Sequence, residues 1–135
     1  MMFDSNVKLD RRLGLERLKT AIALELEAAA AAESALDHAA ATAHLERAHV
    51  LSQRITYLHV KTHVRMLLFA IRRRDWREIR GQSTRIPAAL VFSRIWIPRG
   101  NTGGANVSAF LSMPIPDQLR SLLDAAYGST TDGQV

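Results

Sequence analysis

The first third of the chain consists almost entirely of strong helix formers, and this run constrains the fold more than any other feature. Between Val7 and Ser34, leucine, isoleucine and alanine recur at spacings of three and four, as on one face of an α-helix. The recurring residues are Leu15, Leu18 and Ile22, followed by the alanines from Ala28 to Ala32. The run predicts a long amphipathic first helix.

A second helix is predicted after a tight turn. Asp37 offers a short side-chain oxygen that suits a helix N-terminus. The apolar residues Ala41, Leu45 and Ala48 then continue in helical register to about Ser52.

Two further helices follow in the pattern. The run from Ile55 to Arg73 predicts a third helix, and Asp75 can cap a fourth. Pro87 is expected to kink the fourth helix or to end it near Arg85, because proline lacks the N–H that a helix interior needs. The expected apolar face is Val60, Val64, Leu67 and Ile71 on the third helix, and Trp76, Ile79 and Ile86 on the fourth.

The two halves of the chain agree in their turn positions when one is shifted by 38 residues, so that Asp37 falls on Asp75. A helix, an acidic turn and a second helix, repeated twice, resembles a degenerate tetratricopeptide-type pair. Ala41, Leu45 and Ala48 match that pattern, but the Trp, Gly and Tyr of its first helix are absent. The expected fold is all-α, with two antiparallel helical hairpins.

A segment rich in glycine, asparagine and proline, residues 98–116, separates these helices from the C-terminus and predicts a structured loop. In the structural interpretation, the glycines and asparagines provide turns of positive φ, Asn101 and Asn106 also hydrogen-bond the loop backbone, and Val107, Phe110 and Met113 hold the loop against the helices. The loop residues concerned are Gly100, Asn101, Gly103, Gly104 and Asn106. Anion binding by the glycine amides is the alternative, although the Lys-Ser/Thr ending of a phosphate-binding loop is missing.

A short closing helix is predicted from Pro116 to Gly128, with a flexible tail over residues 129–135. The length of 135 residues suits one domain, over residues 1–128. No cysteine is present, which excludes disulfides, thiolate metal sites and cysteine nucleophiles. No apolar run approaches the roughly 20 residues that span a bilayer, and no signal peptide is recognisable. We therefore expect a cytoplasmic protein without a membrane partner.

Four segments together carry a resemblance to a known family. They read HLERAHVLSQ (44–53), HVKTHVRML (59–67), RRDWREIRGQ (73–82) and GNTGGANVSAFLSMPIP (100–116). From about Leu24 to Leu123 the chain resembles domain-of-unknown-function family 3703, a family of small bacterial proteins. Neither an activity nor a catalytic residue can be carried over from this resemblance.

The five histidines all lie between residues 38 and 63, and two of them have a spacing typical of metal ligands. His59 and His63 are four residues apart, on one face of a helix, and Glu46 and His49 are similarly placed at three. If the second and third helices form a hairpin that turns near Arg54, His49 and His59 come level, with Glu46 near His63. Three imidazoles and a carboxylate suit zinc, copper, nickel or iron rather than calcium or magnesium.

The alternative is that these residues have ordinary structural roles. Glu46 projects about 140° from the centre of the apolar stripe, which would leave it facing water. His38 and His44 are compatible with capping or boundary positions on the second helix.

A concentration of arginine offers a second functional hypothesis. Residues 65–99 contain nine arginines against two acidic residues. A one-sided group of basic side chains can neutralise phosphates, and Trp76 could stack on a base. The candidate contacts are Arg72, Arg73, Arg74, Arg77 and Arg80. Solubility or an acidic protein partner would explain the same residues.

No sequence motif places a serine, a histidine and a carboxylate for catalysis, so no catalytic residue is predicted. The leading hypothesis is a small non-enzymatic helical protein that binds a protein partner and a transition metal. A nucleic-acid-associated protein is the alternative, and a metal-dependent enzyme is the third.

Overall fold

The computed structural model describes residues 2–92, 99–108 and 112–129, and within these ranges the chain is helical with no strands. The helices are α1 (Met2–Ser34), α2 (His38–Ser52), α3 (Thr56–Arg72), α4 (Trp76–Phe92) and α5 (Asp117–Tyr127). The all-α fold predicted from the sequence is confirmed. Phe110 and the end of the tail lie outside the described residues.

The turn between α1 and α2 is built in the same way as the turn between α3 and α4. In the first, Leu36 has a φ of 59° and the Asp37 amide donates to the Ala32 carbonyl at 2.9 Å. In the second, Arg74 has a φ of 56° and the Asp75 amide donates to the Ala70 carbonyl at 2.9 Å. These bonds satisfy the last carbonyls of the preceding helix. The 38-residue offset therefore reflects a repeated turn.

Each turn ends in the predicted aspartate cap. One carboxylate oxygen of Asp37 accepts from the Ala40 amide at 3.0 Å, and Asp75 accepts from the Glu78 amide at 3.1 Å. A cap of this kind satisfies one of the free amides at a helix start.

The main core lies where α1 packs against α2 and α5. Leu18, Ile22 and Leu26 are the buried residues at the centre of α1. They meet the buried face of α2, which is the predicted stripe Ala41, Leu45 and Ala48, and residues of α5 such as Leu119. None of the described helices is long and apolar enough to cross a bilayer.

The buried face of α3 differs from the predicted one. Val64 and Ile71 are exposed, and Val60 and Leu67 are only half-buried. The buried residues are instead Leu58, His59, Thr62, His63, Met66, Phe69 and Ala70. Polar groups can be buried when they are hydrogen-bonded, and Thr62 Oγ1 donates to the Leu58 carbonyl at 2.9 Å. The helix therefore turns its histidines inward and leaves aliphatic residues outside.

The end predicted for α4 near Arg85 is wrong, because the helix continues through Pro87 to Phe92. Proline removes only its own N–H from the helix, so the remaining amides can keep their bonds. At the other end of α4, Trp76 is 73% exposed and does not anchor the core.

Gly14 lies close to the backbone of α5 where α1 meets that helix. A Cβ added to Gly14 would lie 2.1 Å from the carbonyl oxygen of Ala125. We therefore predict that Gly14→Ala lowers the free energy of unfolding by about 2 kcal/mol, although alanine is the better helix former by about 1 kcal/mol. Thermal and urea denaturation measure this change. The exposed replacement Arg12→Ala is the control, and a Gly14→Ala variant as stable as the wild type would contradict the close packing.

Candidate metal centre

Three histidines from two helices converge in a single buried layer. His49 lies in the last turn of α2, and His59 and His63 lie four residues apart on α3. The Nε2 atom of His49 is 2.9 Å from Nε2 of His59 and 3.2 Å from Nε2 of His63. The candidate ligand atoms of the three residues all lie within 4.8 Å of one another. The structure therefore places His49 of α2 beside His59 and His63 of α3.

A buried amide fixes the orientation of His63. The NH₂ group of Gln82 donates to Oε1 of Glu78 at 2.6 Å and to the Gly103 carbonyl at 2.8 Å. Because both acceptors can only accept, the NH₂ group must face them, and Oε1 of Gln82 faces His63. Nδ1 of His63 lies 2.6 Å from that oxygen, so Nδ1 carries the proton and donates it.

His49 is held in the same tautomer by the loop. Its Nδ1 lies 2.7 Å from the backbone carbonyl oxygen of Asn101, which can only accept. The neutral rings of His49 and His63 therefore both have an unprotonated Nε2, and these two lone pairs face one another across 3.2 Å. A proton on Nε2 of His59 can be donated to only one of these two lone pairs.

The glycine-rich loop is built closely over this layer. The buried Asn101 accepts from the Gly103 amide through Oδ1 at 2.9 Å and donates through Nδ2 to the Ser108 carbonyl at 2.7 Å. Gly103 has a φ of 80°, and a Cβ there would lie 2.7 Å from the ring of His49. The position thus requires glycine for both its conformation and its space.

Of the other two loop glycines, one has a positive φ and one does not. Gly100 has a φ of 69°, as predicted. Gly104, Asn101 and Asn106 do not lie in the positive region, so that part of the prediction is wrong. The constraint at Gly104 is space, because a Cβ would lie 2.7 Å from Oδ1 of Asn106.

Arg85 contacts the loop at the site, a role that the sequence did not reveal. Its guanidinium donates to the backbone carbonyls of Gly103, Gly104 and Val107. Gln82 was also missed, because its partners lie about 20 residues away in either direction along the chain. The only local signal was the spacing of four between Glu78 and Gln82, which places their side chains on one helix face.

Glu46 lies outside the histidine layer. The group of candidate ligands in the described residues contains the three histidines only. Glu46 is half-buried and lines a neighbouring cavity of about 230 Å³ together with Glu78, Met66, Arg73 and others. Burial and the charge of Glu78 raise the pKa of Glu46. The remaining two histidines also lie elsewhere: His44 is 2.6 Å from Glu25, and His38 lies near the Phe69 ring.

Burial disfavours positive charge on each of the three clustered rings. Desolvation lowers the pKa of His59 to about 3 and that of His63 to about 4, with the charge of His63 contributing at His59 and that of Arg85 at His63. Burial also places the pKa of His49 well below its usual value. At neutral pH the rings are neutral, which is the form that donates a lone pair to a metal.

The arginines predicted as a basic patch are placed differently from one another. Arg72 is paired with Glu33, donating from Nη2 to Oε2 at 2.7 Å, and this contact lowers the pKa of Glu33. The Arg73 guanidinium lies 5.2 Å from the Phe69 ring centroid, and Arg73 and Arg77 line the cavity. Arg74 and Arg80 are exposed.

The chain belongs to the family described as "Protein of unknown function (DUF3703)", whose match covers residues 16–123. The matched region includes every residue of the histidine layer and of the loop above it. Comparison with curated proteins and with solved structures gives no significant match.

The buried rings make the metal-free protein sensitive to acid. Their folded-state pKa values lie below the unfolded value of about 6.5, so unfolding takes up protons as the pH falls. We predict that the stability present above pH 6.5 is lost progressively towards pH 4, by up to about 1.4 kcal/mol per pH unit for each proton. Urea denaturation of chelator-treated protein measures the slope. His59→Gln should flatten it and the exposed His38→Gln should not; equal slopes in all three proteins would contradict the assignment.

Proposed function

We propose that this DUF3703 protein binds one transition-metal ion through Nε2 of His49, His59 and His63. One observation carries the proposal: two buried, unprotonated Nε2 atoms face each other at 3.2 Å. Two lone pairs at that distance repel unless a proton or a cation lies between them, and both Nδ1 atoms already hold the available protons.

The distances support an ion in the middle of the layer. Zinc–nitrogen bonds are about 2.0–2.1 Å, which at a tetrahedral angle separates two ligand nitrogens by about 3.3 Å. The two separations that include His49, 2.9 and 3.2 Å, need only a few tenths of an ångström of expansion, and all three ligand atoms lie within 4.8 Å of one another. Neutral imidazoles suit zinc, copper, nickel or iron(II), and not calcium or magnesium.

The outer hydrogen bonds support the same role. Metal-binding histidines usually donate their second N–H to a carbonyl or a carboxylate, which orients the ring and raises its basicity. His49 donates to a carbonyl, and His63 donates to Gln82, which itself donates to Glu78. Because the layer is buried beneath the loop, we favour a protein that holds the ion over an enzyme that turns over substrate at it.

The test is metal uptake by untagged protein, measured by elemental analysis after dialysis against zinc, copper or nickel. We expect about one ion per wild-type chain and none in His59→Ala/His63→Ala. The matched control, His38→Ala/His44→Ala, removes two histidines outside the layer and should bind as the wild type does. Equal uptake by all three proteins would refute the site.

A second variant decides the position of Glu46. Since it lies outside the group of candidate ligands, Glu46→Gln should retain metal with an affinity within about twofold of the wild type. A loss of more than about tenfold would return Glu46 to the ligand set, at a cost above 1.4 kcal/mol.

A second candidate function is nucleic-acid binding, favoured by the exposure of Trp76 (73%) beside the exposed Arg74, Arg77 and Arg80. Aromatic stacking together with phosphate neutralisation is typical of single-strand binding.

This candidate predicts a steep salt dependence. Replacing Arg74, Arg77 and Arg80 with glutamine should weaken binding of a fluorescent oligonucleotide and reduce the slope of log K against log salt by up to about 3. Replacing the exposed Arg12 and Arg17 of α1 is a control that removes charge at another site. An affinity independent of salt, or equal in both variants, would exclude the arginine segment as the contact.

A further inference from the structure

The histidine layer contains no anionic ligand. In the part of the chain that the structure describes, the atoms that can meet at one ion are three imidazole nitrogens, with no carboxylate among them. The nearest acidic group in the hydrogen-bond network is Glu78. Its oxygens accept from Gln82 at 2.6 Å and from the Ala105 amide at 2.8 Å, so it acts on His63 only through the Gln82 amide.

A positive group lies on the other side of the network. Arg85 binds the carbonyls of Gly103 and Gly104, and Gly103 lies against the His49 ring. The guanidinium therefore lies one peptide group away from the His49 ring. The surroundings therefore oppose positive charge in the layer.

An ion in this layer is stabilised mainly by neutral ligands in a dry environment. The cost of desolvating an ion rises with the square of its charge, so a divalent ion costs about four times as much as a monovalent ion of similar size. Repulsion from Arg85 also doubles with the charge. A divalent ion would need an anion to compensate, and the residues that the structure describes contribute none to the layer.

We infer that the site is selective for copper(I) over divalent metal ions. Copper(I) is monovalent, accepts three nitrogen ligands, and favours soft donors such as thioethers. Met66 is a buried thioether one turn after His63 on α3, and it lines the neighbouring cavity. This inference rests on the proposed function, since it names the ion that the three histidines hold.

The test compares ions of different charge at the same site. Wild-type protein is titrated anaerobically with copper(I) against bicinchoninate, with silver(I) as a redox-inert monovalent probe, and with zinc(II) against a chromophoric zinc chelator. We expect one copper(I) or silver(I) per chain, retained in a tenfold excess of zinc(II). The His59→Ala/His63→Ala variant should bind neither, and His38→Ala/His44→Ala should bind both monovalent ions.

The outcomes separate this inference from the proposed function. Histidine-dependent binding of zinc(II) that displaces copper(I) would overturn the selectivity and leave the metal site standing. If the wild type retains no ion of either charge, both proposals fail.

Arg85 provides a test of the electrostatic cause. Arg85→Lys and Arg85→Gln both remove the guanidinium that clamps the loop, but only the lysine variant keeps the charge. The ratio of zinc(II) to copper(I) affinity should be about tenfold higher in the glutamine variant than in the lysine variant, because losing the charge favours the divalent ion more. Equal ratios would refute a role for charge in the selectivity.

Discussion

The side-chain amide of Gln82 is the interaction on which the rest of the site depends. It is fully buried and makes three hydrogen bonds, to Glu78, to the Gly103 carbonyl and to Nδ1 of His63. One residue of α4 thereby orients a histidine of α3 and holds the loop that covers it. When a buried polar group makes all its hydrogen bonds at once, it fixes the orientation of each of its partners.

The inverted face of α3 follows from the same requirement. Aliphatic residues would ordinarily be buried in preference to histidines, but here Val64 and Ile71 are exposed while His59 and His63 are inside. Burying imidazoles is tolerable only where their N–H groups meet acceptors. For His63 the Gln82 amide supplies that acceptor, and Nε2 of His59 lies 2.9 Å from Nε2 of His49, so α4 and α2 together make the inversion possible.

Sequence reasoning predicted the local features and missed most of the long-range ones. The local features follow from spacing along one helix or across one short turn. They are the helices, the caps at Asp37 and Asp75, and the approach of His49 to His59. The buried face of α3 could not be predicted from hydropathy, because the acceptor for His63 is Gln82 on α4, 19 residues away. The role of Arg85 was hidden for the same reason, since its partners are backbone carbonyls that no residue pattern marks.

The central claim is that His49 and His63 carry their protons on Nδ1 and direct bare Nε2 atoms at each other. Long-range ¹H–¹⁵N NMR of the metal-free protein, with histidine labelled at both ring nitrogens, reports the tautomer of each ring directly. We expect a protonated Nδ1 and an unprotonated Nε2 for both residues at neutral pH, with both Nε2 resonances shifting when metal is added. A proton on Nε2 of either His49 or His63 would contradict it.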